Sequence, residues 1–236
     1  MRLFVKATIL VFALSLFSNA TAQNPEPKVE MGHFFMVFLV KGPKWVPEDT
    51  PEIKQMKQAH LGHLLGLEKD GRLALAGPAS GDGPILGVGV FTMNSIDEVR
   101  AFINDDALVK SGFSSAEIHP WFAGKGIMKM PDGPPVKMDK YYLGLLKKGP
   151  NWSSGEKAEK QQLQDAHMAN ISRLASLGKL VIAGPMEDNG DLRGIFVFKT
   201  ASMDEAKELA PSDPTIKTGH LVLELYTWMV PSGGLP

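Results

Sequence analysis

Cysteine does not occur in the 236-residue chain. Its absence excludes disulfides, thiolate nucleophiles, and zinc or iron–sulfur centres built on Cys. It also excludes a bacterial lipoprotein anchor, which needs a Cys just behind the cleavage site. Beyond the first residues no apolar run reaches the length of about 20 residues that spans a bilayer. Neither sign of charge dominates: 25 basic residues face 26 acidic ones, a net charge of −1, with no basic stripe or block. Electrostatic binding to nucleic acid is therefore not expected. No Gly-x-Ser-x-Gly nucleophile motif is present. The glycines Gly81, Gly83, Gly87 and Gly89 do not form a phosphate loop, because no helix start follows them; they read as hairpin glycines. Without disulfides the fold must be stable from its core alone, and 44% hydrophobic residues suffice for one.

What the chain does contain begins with a leader. Arg2 and Lys6 precede the apolar run from Ala7 to Phe17, and Ala20-Thr21-Ala22 has the small-x-small pattern of a signal-peptidase site. Residues 1–22 are expected to be removed, which predicts a periplasmic or secreted protein starting near Gln23, without a membrane anchor. A linker over 23–33 would follow.

The rest is one unit written twice. Lys41-Gly42-Pro43-Lys44-Trp45 returns as Lys148-Gly149-Pro150-Asn151-Trp152, and Ala59-His60 as Ala166-His167. Ala76-Gly77-Pro78 returns as Ala183-Gly184-Pro185, and Asp106, Lys110 and Gly112 as Asp213, Lys217 and Gly219. Glu117 and Trp121 match Glu224 and Trp228. All pairs have the same separation, so the copies align without a gap. The predicted organisation is a first domain over 34–124, a linker over 125–140 rich in Pro and Gly, a second domain over 141–230, and a tail over 231–236.

Each copy predicts the same elements. Phe34 to Val40 is a continuous apolar run, as in a strand buried on both faces. Thr50-Pro51 starts a helix whose inward stripe is Ile53, Met56, His60, Leu64 and Leu67; Leu163, His167, Ile171 and Leu174 match it. Leu73 to Ala76 is a short strand ended by Gly77-Pro78, and Leu86 to Met93 is a third. Ser95-x-x-Glu98 and Ser202-x-x-Glu205 read as capping boxes of a second helix. Ala116 to Phe122 is the last strand. The order βαββαβ is ferredoxin-like. One such domain leaves a sheet face uncovered, and the second copy can cover it. The expected fold is α+β: two tandem ferredoxin-like domains forming a pseudo-dimeric α+β barrel within one chain, so that a monomer is complete.

These motifs resemble the YciI-like (YCII-related) family of the dimeric α+β barrel superfamily. The resemblance rests on Lys-Gly-Pro-x-Trp after strand one, the helix-one His, the Gly-x-Leu-x-x-Ala-Gly-Pro strand and the Asp before the last strand. It implies a His–Asp active site, here His60 with Asp106 and His167 with Asp213. One branch of that family eliminates chloride from a chlorinated hydroxyhydroquinone. The family's Asp-Pro stands as Asp213-Pro214 but as Asp106-Ala107 in the first copy, which brings the equal competence of the two copies into question.

Chemistry at these residues has competitors. A His in an apolar helix stripe is often a core side chain bonded to backbone, whereas a carboxylate on one ring nitrogen would leave the other as acid or base. Asp106 and Asp213 could equally cap a local turn. Trp45 and Trp152 could pack a core edge or stack on a flat ligand. Glu117 and Glu224 would be partly desolvated substrate-binding groups if their strand faces line the inter-sheet space, and surface charges otherwise. His60-x-x-His63 does not read as a metal site, since Asn170 replaces the second His in the other copy. Asn151-x-Ser153 and Asn170-x-Ser172 are glycosylation sequons, meaningful in a eukaryote. The sequence thus leaves three functions open: a proton-transfer enzyme without a cofactor, acting as a lyase or isomerase on a small molecule; a binding module for small flat apolar molecules; or a structural domain of the cell envelope.

Overall fold

The computed structural model describes residues 30–131 and 137–236; the predicted leader and the centre of the predicted linker lie outside them. Eight strands form one antiparallel sheet: β1 (Met31–Lys41), β2 (Leu73–Ser80), β3 (Ile85–Phe91), β4 (Ser114–Gly124), β5 (Met138–Lys148), β6 (Leu180–Pro185), β7 (Leu192–Phe198) and β8 (Leu221–Pro231). Their order is β4-β1-β3-β2-β8-β5-β7-β6. The first copy adds helices α1 (Pro51–Glu68), α2 (Ile96–Asn104) and α3 (Ala107–Lys110); the second adds α4 (Lys157–Ser176), α5 (Met203–Leu209) and α6 (Pro214–Lys217).

The sheet curls until its edges meet, and the two copies join at two seams. At one, Ala79 of β2 pairs with Trp228 and Ser80 with Thr227 of β8. At the other, Trp121 of β4 bridges Met186, just past β6, and the Trp121 indole N–H donates to the Gly184 carbonyl at 3.1 Å. Met186 and Ala79 are matching positions of the repeat, so the seams are related by its pseudo-two-fold. The duplication expected from the sequence is therefore a pseudo-dimeric α+β barrel.

The seams correct one boundary. Strand β2 does not stop at Gly77-Pro78 but runs on to Ser80, because those last residues pair with the other copy. Gly77 is required at that junction: a Cβ there would stand 1.8 Å from the Met229 carbonyl oxygen, and one on Gly184 2.2 Å from that of Phe122. Within each copy, β1 and β5 start a few residues before Phe34 and Tyr141, since Met31 pairs with Gly124 and Met138 with Pro231.

Alternation along the strands assigns the two faces of the sheet. Phe34, Met36 and Phe38 share a face with Trp121, and Tyr141, Leu143 and Leu145 share one with Tyr226 and Trp228. These residues from both copies merge into one buried cluster, the core between the sheet halves. Trp121 and Trp228 are wholly buried within it. The opposite face carries the helices, and in the second copy it forms a cluster of its own around Phe196, Phe198 and Leu174.

Local signals mostly act as read. Thr50 caps α1 through Ile53 N, and Ser95 and Ser202 cap α2 and α5 through Glu98 N and Glu205 N. The reciprocal half of each box is displaced by one residue: Glu98 accepts from Asn94 N and Glu205 from Ala201 N, the residues before the caps. No described helix is long and apolar enough to cross a membrane.

Candidate functional site

Each helix-one His meets the Asp of its own copy. His60 on α1 donates Nδ1–H to Asp106 Oδ2 at 2.6 Å, and Asp106 Oδ1 accepts from Leu108 N at 2.9 Å. Asp106 therefore caps α3 and orients the imidazole at once, because a carboxylate has two oxygens to give. In the second copy His167 Nδ1–H donates to Asp213 Oδ2 at 2.8 Å, while Thr215 N and Thr215 Oγ1 donate to Oδ1. Asn170 adds a longer bond to Oδ2 at 3.3 Å. Ala107 in place of Pro changes nothing in this arrangement: each Asp is the N-cap of a four-residue helix in extended conformation.

Both aspartates are buried, and burial is the largest single influence on them, opposing ionisation. The bonds and charge of the paired His, with the helix-cap N–H groups, outweigh it and hold both carboxyls below the usual Asp value. They are carboxylates at neutral pH. That fixes the proton of each imidazole on Nδ1 and leaves Nε2 as the reactive nitrogen.

What lies beyond Nε2 differs between the copies. His60 borders a cavity of about 550 Å³ between α1 and the outer face of the first sheet half. Its walls are apolar, including Leu61, Leu64 and Phe91; Gly87 and Gly89 of β3 line it, Trp45 stands at it, and Met138 and Pro231 of the second copy close the seam side. At His167 an aromatic ring of the protein stands beside the imidazole instead. The imidazole stacks on Phe196, centroids 5.8 Å apart and planes 16° from parallel. Phe196 is the repeat counterpart of Gly89.

The glycines thus divide. Gly81 and Gly83 belong to the β2–β3 loop, packed under Tyr226. Gly87 and Gly89 are not hairpin glycines; they lie within β3 and border the cavity. Ser114, at the start of β4, was not singled out by any motif. Its hydroxyl is buried, borders the same cavity, and has no hydrogen-bond partner among the described residues. The repeat itself held the signal, since the matching position is Leu221.

The other expected site residues are placed as follows. Lys41 Nζ stands over the Trp45 ring at 4.5 Å, and Arg193 over Trp152 at 5.4 Å; Trp152 is 41% exposed. Glu117 and Glu224 share the inter-sheet face, not the helix face, so the structure does not bring them to the His60 cavity. They end near solvent, with side chains 58% and 47% exposed, and Glu224 pairs with Lys147 at 2.9 Å. His63 turns from His60 toward α2, donating Nε2–H to the Phe102 carbonyl at 3.0 Å and stacking on that ring. No group of three or more His, Asp or Glu able to hold a metal occurs among the described residues. Asn170 is buried and hydrogen-bonded, so that sequon is closed to a glycan in the folded protein. The structure also shows two imidazole–carboxylate pairs across the β4–β6 seam that the repeat could not reveal, His119 with Asp188 and His33 with Glu187, both at 2.9 Å.

A comparison with curated proteins gives no match. Among solved structures the fold is similar to a haem-binding protein from Thermus thermophilus, at 12% identity and TM-score 0.53, over 87% of this chain and 94% of the other. A putative chlorite dismutase matches at 6% identity and TM-score 0.56, over 86% and 96% of the chains. A chlorite dismutase variant from Candidatus Nitrospira defluvii matches at 11% and 0.54, over 86% and 92%. Such identities bear on the fold alone. The family model of the YCII-related domain matches residues 33–122 and again 141–229, nearly all of both copies, and the chain belongs to that family.

Proposed function

We propose that this YCII-related protein is an exported small-molecule enzyme that works by proton transfer at His60. The observation that carries the proposal is the juxtaposition of a Nδ1-anchored imidazole with an apolar cavity of about 550 Å³, a size typical of small-ligand sites. Nε2, the ring nitrogen that Asp106 does not hold, is the base. It takes a proton from the bound substrate, and the electron pair of the broken bond either expels a leaving group or shifts to a neighbouring atom. The imidazolium so formed is stabilised by the buried Asp106 carboxylate, then returns its proton to the leaving group or to the shifted position. Elimination and isomerisation both fit this sequence; the choice of a lyase or isomerase class rests on the family resemblance.

A second reading has a specific observation in its favour. Trp45 among the lining residues and the apolar walls would suit a binding module for small flat molecules with no chemistry at all. Haem, the group named for the Thermus thermophilus neighbour, does not fit the cavity. Its two propionates would need cations, and the acidic and basic side chains in the lining are Glu48 and a Lys57 held by Asp49 at 2.8 Å.

A substrate screen of purified protein decides, run with His60→Ala, His167→Ala and the double variant. The expected result is turnover lost in His60→Ala and kept in His167→Ala. Turnover unchanged in the double variant would sink the assignment, and binding without turnover would leave the module. Asp106→Asn gives an independent check. Its amide would favour the other tautomer, placing the proton on Nε2 and removing the base while keeping the cap. Export is tested separately by N-terminal sequencing of the mature protein, which should begin near Gln23.

A further inference from the structure

The two copies differ at one cross-strand pair under the helix-one His. In the first copy Val37 of β1 faces Gly89 of β3; in the second Gly144 of β5 faces Phe196 of β7. The glycine has changed strands. Its position decides where the next aromatic along the strand rests. Without a side chain at Gly89, the Phe91 ring lies against that backbone, 2.8 Å from where a Cβ would be. In the second copy the Phe198 ring lies over Gly144, at 3.2 Å from its Cβ position, and meets Phe196 edge-on. Phe196 is then free to place its own ring flat beneath His167. The position of Ser114 is likewise apolar in the second copy, where Leu221 is buried.

We propose that the first-copy cavity is the chain's single working ligand site, and that Phe196 is a built-in occupant closing its counterpart in the second copy. This rests on the reading of the His60 cavity given above and names its ligand class. The part of the ligand beside His60 is ring-sized and apolar, since a ring of the protein's own fills the equivalent place. A hydrogen-bonding substituent on the ligand meets Ser114 Oγ, a buried hydroxyl that the protein itself leaves unpartnered. In the second copy the Phe196 ring holds the place beside His167, and Leu221 stands where Ser114 offers its hydroxyl.

Equilibrium dialysis with 2-naphthol and naphthalene as probes counts the sites. The wild-type chain should bind one 2-naphthol. Exchanging the pair in the first copy, Val37→Gly with Gly89→Phe, should weaken binding at least tenfold. The reverse exchange, Gly144→Val with Phe196→Gly, should give a second site, and Phe196→Ala serves the same purpose if that variant does not fold. The atoms nearest a Cβ on Gly144 belong to side chains, Leu223 first at 2.7 Å, so the exchange asks rotamers rather than backbone to move. Ser114→Ala should reduce the preference for 2-naphthol over naphthalene roughly five- to tenfold, the value of one hydrogen bond. Two sites in the wild type, or one site that persists in folded Phe196→Gly and Phe196→Ala alike, would overturn the plug while leaving the His60 cavity intact. No binding to the wild type would instead refute the cavity as a site for apolar rings and the ligand class with it, while proton transfer at His60 is judged by the substrate screen.

Discussion

Replacing Asp106 and Asp213 by Ala separates the two jobs these residues hold. Asp106 accepts two hydrogen bonds, from Leu108 N and His60 Nδ1. Loss of an N-cap costs about 1 kcal/mol, and a buried bond to a charged acceptor about 1.5–3 kcal/mol, so Asp106→Ala should cost roughly 3 kcal/mol. Asp213 accepts two more, from the buried Thr215 hydroxyl and Asn170 amide, whose donors would be left unpaired. Asp213→Ala should therefore cost more, roughly 5 kcal/mol after allowing for non-additivity. Asn at either position keeps the cap, which Asn makes as well as Asp, and should forfeit less than half as much. Urea unfolding followed by circular dichroism measures each difference, read from midpoints at constant m. Equal losses at the two sites, or a loss below about 1 kcal/mol for Asp213→Ala, would refute the reasoning that both carboxylates are structural anchors as well as partners of the His.

Three further outcomes follow from the same geometry. Ala107→Pro restores the Asp-Pro pattern at the first helical position, after a residue already extended at φ −67° and ψ 138°; calorimetry should show a gain of about 0.4–1 kcal/mol with no change at His60. Gly62→Ala and Gly66→Ala, in α1 with open space around both Cβ positions, should each stabilise by up to about 1 kcal/mol, whereas Gly77→Ala should destabilise severely by forcing a Cβ against the Met229 carbonyl. Because the folded Asp106 and Asp213 hold protons less readily than free Asp, their contribution is complete above the ordinary value of about 3.9 and is lost as pH falls below it through the lowered folded values. Urea midpoints should fall steeply over that acid range, and less steeply in Asp106→Asn with Asp213→Asn; an unchanged slope would refute the linkage.

The duplication was fully legible in the sequence because a gapless repeat preserves every structural spacing, and from it the ferredoxin-like order and the pseudo-dimeric barrel followed. The pairing of each His with an Asp was also approachable, through the family resemblance and the placement of both residue types at matching positions. What the sequence could not decide was which contacts cross between copies. The extension of β2 through Pro78, the need for Gly77, and the placement of Glu117 away from His60 all depend on how two sheet halves meet. Asp106-Ala107 looked like the weakened site, yet the local cap is indifferent to that change. The difference between the copies lies instead at Gly89 and Phe196, where a side chain from a neighbouring strand either leaves space under an imidazole or fills it. Local spacing fixes elements, because capping and periodicity act within a few residues; free volume belongs to the tertiary structure, because it is set by what distant strands bring together.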